Sequence, residues 1–201
     1  MTIERFGPFG EALPLPSGAP TVTSDRALRA LVLRHRSEGT PIPPVGLLGG
    51  DLSRTLGGTG SADRLTSTEA TTFAVDVGRL ELDGATTWFV AHVLIGRLFR
   101  GGIVVMQAEW LGDLDLGPRS HPSDGRFDVT SGALPLGERR RARVRARTGS
   151  HLPHPALEHR QQSHLEIDLR RPTPVVADGV ALGRFRRVRV VLEPEALTVV
   201  V

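Results

Sequence analysis

The sequence predicts an α+β fold that is mainly β. Three observations carry the prediction. From about residue 71 onward, apolar residues alternate with polar ones, the period of strands with one buried face. Asp-Gly pairs at 83–84 and 178–179 interrupt that alternation where hairpins turn. Helical spacing is clearest near the start, between Ser24 and Gly39.

Residues 1–23 mix Gly, Pro and Ser without periodicity and read as an irregular or extended arm. Ser24 is placed to accept from the freed N–H groups of a first helical turn. Leu28, Leu31, Val32 and His35 then fall on one face, and Gly39 stops the helix. The proline-rich residues 40–44 keep the chain extended into a short buried strand at 45–48. Gly49 and Gly50 follow, with Asp51 able to cap a turn of helix through Leu56. A strand, a glycine turn and a helix start present backbone N–H groups that suit an anion, although a plain turn explains the same residues.

Residues 59–70 are small and polar, the best linker in the chain. Strands are expected at 73–82 and 86–94, joined by Asp83-Gly84, and at 101–110. Ser123-Asp124-Gly125 is a turn before a strand at 127–130. Arg139, Arg140, Arg141, Arg143, Arg145 and Arg147 fit two readings. In a strand, Arg141, Arg143, Arg145 and Arg147 share a face opposite Ala142, Val144 and Ala146; in a helix, the arginines wrap around it. Two strands flanking Asp178-Gly179 close the chain.

The chain of 201 residues, 39% hydrophobic, holds an ordinary core. It has no cysteine, which excludes disulfides and thiolate chemistry and fits a cytoplasmic protein. No apolar run approaches membrane-spanning length, and the N-terminus carries an acid and a Phe where an export signal would be basic and then apolar. Every base is arginine. The formal charge is only +3, so the pI near 10.9 reflects the lack of Tyr and Cys more than a large excess of positive charge. The local run at 139–147 suits an anionic lipid headgroup surface better than nucleic acid, because stacking aromatics are scarce and no reader motif is present, although a solvated, Glu-balanced face explains the same residues. His151, His154, His159 and His164, spaced three then five on a proline-containing segment, share no helical face and read as loop residues. No Gly-x-Ser-x-Gly elbow is present.

Several segments, in order, resemble the diacylglycerol and bacterial lipid kinase family of the NAD kinase-like superfamily. Val175-Val176, Asp178-Gly179, the basic 184–189 segment, Pro194-Glu195-Ala196-Leu197 and the closing valines are similar to the family's C-terminus. Gly49-Gly50-Asp51-Leu52-Ser53-Arg54-Thr55-Leu56-Gly57 is similar to the end of its Gly-Thr-Gly-Asn-Asp-Phe-Ala-Arg-x-Leu-Gly motif, with Gly50 in place of Asn. The Val-Asp-Val-Gly-Arg-Leu at 75–80 is common to both. Pro118, Ser120, Asp124, Gly125, Phe127, Asp128 and Val129 match the spacing of a Pro-x-Ala-x-x-Asp-Gly-x-Leu-Asp-Val block. The likeness covers most of residues 45–201. The family's Gly-Gly-Asp-Gly-Thr nucleotide loop is replaced by Thr23-Ser24-Asp25-Arg26, and its Asp-Gly-Glu reads Asp178-Gly179-Val180.

The resemblance implies a reduced α/β nucleotide-domain remnant at 1–66 and an antiparallel β-sandwich at 67–201. It implies ATP and Mg²⁺ as cofactors, Asp178 as the catalytic acid, and Gly49, Gly50 and Asp51 as nucleotide-binding. It also implies a magnesium ion held by Asp124 with the backbone carbonyls of His121 and Arg126. Phosphoryl transfer needs a proton acceptor, a metal and a phosphate cradle. Val180 supplies neither a base nor a ligand and the cradle is depleted, so the expected protein is a degenerate lipid-kinase-like one with little catalysis that binds lipid, nucleotide or a partner. An active lipid kinase using Asp178 and a non-catalytic oligomerising subunit are the alternatives.

Overall fold

A computed structural model describes residues 10–117 and 120–201. Pro118 of the Pro-x-Ala block and the first nine residues of the arm lie outside the described residues. In chain order the elements are β1 (Thr21–Val22), α1 (Asp25–Glu38), β2 (Val45–Leu47), α2 (Asp51–Thr55), α3 (Ala62–Leu65), β3 (Thr72–Leu82) and β4 (Ala85–Phe89). Then follow β5 (His92–Ile95), β6 (Arg100–Met106), β7 (Trp110–Leu111), β8 (Leu114–Asp115) and β9 (Phe127–Ala133). Helix α4 (Leu136–Arg145), a 3₁₀ turn at Ala146–Thr148, β10 (Leu157–Gln162), β11 (His164–Ala177) and β12 (Val180–Val200) complete the chain. The protein is α+β and mainly β, as its alternation predicts.

One mixed sheet runs β1-β2-β12-β11-β5-β6-β9-β10, with β3 paired to β12 and β4 to β3; β7 and β8 form a separate hairpin. Strand β2 runs parallel to the end of β12, through Val199 opposite Val45, so the N-terminal strands continue this sheet. Leu80, Phe89, Val188 and Val190 share one buried cluster with Val93, Ile95, Val105, Phe127 and Val175. The sheet therefore closes its two halves over a common core, as packed sheets must to bury both inner faces.

Local chemistry explains most boundaries. Ser24 Oγ accepts from the Ala27 N–H at 3.3 Å, and Gly39 ends α1 at φ 64°, its N–H donating to the His35 carbonyl. Leu28, Leu31 and Val32 on the inner face of α1 are buried against the sheet. Both Asp-Gly turns carry two residues at positive φ, 48° and 92° at 83–84 and 47° and 74° at 178–179, the geometry that a tight hairpin requires.

Three expectations are corrected. The single strand expected at 86–94 is two, β4 ending at Phe89 beside β3 and β5 starting at His92 between β11 and β6. Residues 59–70 do not form a loose linker: they contain α3, capped by Ser61, and bury Leu65 and Ala70 beside Leu15 and Val200. The strand expected through 110 ends at Met106, because Gln107 and Ala108 both donate to the Ala91 carbonyl and turn the chain away.

The long β12 is bulged where three residues, Pro194, Glu195 and Ala196, stand opposite Asp76 alone on β3. Pro194 brings no N–H to the ladder, and Glu195 takes φ 50°. The carboxylate of Asp76, 1% exposed, accepts from the Glu195 N–H and from the Gly125 N–H, both at 2.9 Å. One buried acid thus ties the bulge to the 121–126 turn.

Candidate functional site

The residues expected to bind nucleotide lie where α2 meets the sheet. Gly49 follows β2, and Gly50 takes φ 105° and starts α2. A Cβ at Gly50 would stand 2.6 Å from Asp25 Oδ1, so only glycine admits the approach that follows. Asp25, first residue of α1, accepts from the backbone N–H of Asp51 at 2.6 Å and of Leu52 at 3.1 Å. Those two N–H groups are the ones a phosphate would use. Burial pushes the Asp25 carboxyl up, opposed by these two hydrogen bonds.

Asp51 faces the other way. Its carboxylate accepts from the Gly112 N–H in the β7–β8 hairpin at 3.0 Å, and its Oδ2 lies 3.7 Å from His92 Nδ1. The His92 Nδ1 atom is buried without a hydrogen bond, and burial lowers its pKa while Asp51 pulls it up. Beside Asp51, the Arg54 guanidinium lies over the Trp110 ring, 3.2 Å from its centroid, which fastens α2 to the hairpin.

Asp178, expected as the catalytic acid, is 3% exposed. Its carboxylate accepts from three consecutive N–H groups: Val90 at 2.9 Å, Ala91 at 2.9 Å and His92 at 3.1 Å. Its own N–H donates to the His92 carbonyl. Burial pushes this carboxyl up to about 7, against the pull of the three hydrogen bonds. Arg29, buried on α1, donates to the Trp88 carbonyl at 2.7 Å and to Thr87 Oγ1 at 2.8 Å, and the charge of Asp178 acts on it.

The structure therefore gathers Asp51 and Asp178 with three residues that sequence reasoning did not select: Asp25, Arg29 and His92. Two acids occupy five backbone N–H groups between them. An incoming phosphate would find the Asp51 and Leu52 N–H groups taken and would meet a carboxylate there instead. The signals were present but indirect: Asp25 stands where the lipid kinases that the sequence resembles carry a nucleotide loop, and His92 interrupts an apolar run.

The expected magnesium residues lie apart from this cluster, in one turn. The Asp124 carboxylate accepts from the Arg126 N–H at 2.9 Å and from Gln161 Nε2 at 3.2 Å, and the His121 carbonyl accepts weakly from the Asp124 N–H at 3.4 Å. Among the described residues no three His, Asp or Glu side chains converge as ligands for a metal ion. Asp124 is itself exposed, and one carboxylate with backbone carbonyls and water is a donor set that a hard dication accepts.

The arginine run is helical, not a strand: Arg139 to Arg145 lie on α4 and Arg147 in the 3₁₀ turn that follows. Ala142 and Ala146 pack inward, while Leu136 and Val144 are 78% and 58% exposed. With Arg140 they make a stripe at spacings of four. Arg139 donates to the Leu134 carbonyl, and Arg143 and Arg147 pair with Asp113 at 4.0 and 3.1 Å. His154, from the histidine-rich loop, is held between the Ala156 N–H and Glu138, and His159 bonds Thr130, so these two serve local structure. Among the described residues no helix is long and apolar enough to cross a membrane.

No protein-family model matches the chain, and no curated protein matches it. Solved structures do. A diacylglycerol kinase from Bacillus anthracis strain Sterne superposes with a TM-score of 0.57 at 17% identity, covering 79% of this chain and 66% of that one. Two further structures named as diacylglycerol kinases of the same organism give TM-scores of 0.59 and 0.58 at 14% identity, covering 79% of this chain and 69% of theirs. This chain thus spans about two thirds of their length and shares their fold.

Proposed function

We propose that this chain is a lipid-kinase-like protein with little or no phosphoryl transfer, which meets anionic lipid through α4. The observation that carries the reading is the Asp25 carboxylate seated on the N–H groups of Asp51 and Leu52. A cradle filled by the chain's own acid is closed to the anion that phosphoryl transfer must position. The buried, triply hydrogen-bonded Asp178 supports the same conclusion, since a general base must reach the hydroxyl proton it takes. Magnesium belongs in this reading at the 121–126 turn, where Asp124 would hold it with the carbonyls of His121 and Arg126 as a structural ion.

Lipid contact follows from the outer face of α4. Arg140 and its neighbours offer charge at about 1 kcal/mol per residue near an anionic surface, and Leu136 and Val144 offer exposed apolar area between them.

The test has two arms. The full chain is incubated with diacylglycerol in mixed micelles, labelled ATP and magnesium; wild type and Asp178→Asn should both stay at the blank. Magnesium-dependent transfer that disappears in a folded Asp178→Asn chain would make the protein an active lipid kinase. In the second arm, co-sedimentation with vesicles should rise with phosphatidylglycerol content, fall with salt, and weaken in Leu136→Ser/Arg140→Ala. Binding that ignores all three removes the role of α4.

A further inference from the structure

A second basic site stands elsewhere on the sheet. Between Asp168 and Thr173 the register of β11 against β12 slips: Leu169, Arg170, Arg171 and Pro172 stand opposite Arg186 alone. A four-to-one bulge pushes its residues out of the ladder, and Pro172 has no N–H to bring back to it. Arg184 Nη2 donates to the Pro172 carbonyl at 2.8 Å and holds the bulge in place.

The neighbouring strand on the far side of β11 brings the opposite wall. Ile95 of β5 pairs with Val175, and the Gly96 N–H donates to the Pro174 carbonyl at 2.8 Å, so the β5–β6 turn lies against the bulge. That turn carries Arg97 and Arg100. Between the two lies a cavity of about 590 Å³ with Ile95, Ile103, Leu169 and Pro174 among its apolar lining. Arg97, Arg100, Arg170, Arg171 and Arg184 all line it, and no carboxylate does.

Five guanidiniums cannot shed their charge near neutral pH, and each presents a planar fork of donors that fits phosphate oxygens. Among the described residues the side chains of Arg97, Arg100, Arg170 and Arg171 make no hydrogen bond or ion pair. Other arginines of the sheet do have acidic partners: Arg79 and Arg189 meet Glu81, and Arg187 meets Asp168. The cavity thus concentrates unneutralised charge in a concave site wide enough for more than one phosphate.

From this geometry we infer that the cavity between the β5–β6 turn and the β11 bulge binds a phosphate anion through Arg97, Arg100, Arg170 and Arg171, engaging two phosphate groups at once. The phosphates come from a free diphosphate or from adjacent phospholipid headgroups; the chemistry of recognition is the same. The site shares no residue with the Asp25–Asp178 cluster or with α4, so it goes beyond the function proposed above.

The experiment titrates the full chain with inorganic pyrophosphate by calorimetry and, separately, with phosphatidylglycerol vesicles by co-sedimentation. Arg170→Ala/Arg171→Ala and Arg97→Ala/Arg100→Ala attack the cavity from its two walls. Arg26→Ala/Arg34→Ala removes the same charge from exposed positions on α1. Saturable pyrophosphate binding that weakens at least about tenfold in both cavity variants and persists in the α1 variant assigns a soluble ligand. The same pattern for vesicles, without pyrophosphate binding, assigns a headgroup. Absence of binding in both arms, or an equal loss in the α1 variant, overturns the site.

Discussion

Asp25 Oδ2 and the backbone nitrogen of Asp51 are 2.6 Å apart, which places an acid of α1 at the start of α2. The helix contributes unpaired N–H groups there, and the carboxylate satisfies two of them in a buried setting. Asp25→Ala leaves both without an acceptor. We expect a loss of about 1–3 kcal/mol of stability in urea unfolding. Removing the acid also empties the cradle, so phosphate should raise the melting temperature of the variant by more than that of wild type, the arginine cavity being the same in both. An Asp25→Ala chain as stable as wild type would show that water replaces the carboxylate without cost.

Asp178 sets a pH dependence. Its carboxyl is raised from 3.8 to about 7 by burial, so between those values the folded chain binds more protons than the unfolded one. Stability from this group is intact at the acidic end of the window and is lost as pH rises through it, by on the order of 4 kcal/mol. Asp178→Asn cannot titrate. It also turns an amide N–H₂ toward a backbone donor, which carries a fixed cost of about 1–3 kcal/mol. The variant's deficit against wild type should therefore shrink between about pH 5 and about pH 8 in urea titrations. His92 and His151, whose pKa values burial lowers, act in the opposite sense and are present in both chains. A deficit that grows with pH would mean that the three N–H groups outweigh burial.

Gly78 lies opposite Phe89 in the β3–β4 pairing, and a Cβ there would come within 2.0 Å of the Phe89 ring. Phe89 is fully buried in the sheet core and has nowhere to retreat. Gly78→Ala should cost about 1–3 kcal/mol. Gly137, in the first turn of α4, has open space around its Cα and an ordinary φ, so Gly137→Ala should be neutral or gain up to about 1 kcal/mol. Chemical denaturation of the two variants side by side checks the contrast; equal effects would contradict the packing at Phe89.

What could be read from the sequence was decided within a few residues. Ser24 and Gly39 bound α1 because a cap needs only its own turn, and the Asp-Gly pairs turn hairpins because both φ values are local. Longer relations were hidden. Nothing beside Asp178 announces that Val90, Ala91 and His92, nearly ninety residues earlier, will close over its carboxylate. Leu65 is a single apolar residue in a polar stretch, yet it anchors that stretch against Leu15 and Val200. The arginine run stayed ambiguous between strand and helix until Ala142 and Ala146, four apart, packed as one face. The arginine cavity needs a bulge and a turn from separate strands, so no segment of the sequence contains it.

Asp124 offers the last test. Partial desolvation raises its carboxyl although the residue as a whole is exposed, the Arg126 N–H and His121 oppose that rise, and the nearby Asp76 and Asp128 add to it. A dication at the turn would relieve this repulsion, and binding to the folded state alone stabilises by about 1.4 kcal/mol at ten times the dissociation constant. For a chain of this size that is about 3–6 °C in melting temperature. Magnesium chloride should produce the shift in wild type, sodium chloride of equal ionic strength should not, and Asp124→Asn should abolish it. Because the readout is folding, it is independent of any phosphoryl transfer. A shift of the same size in Asp124→Asn would move the ion elsewhere, and no shift in wild type would leave the turn held by Arg126 and Gln161 alone.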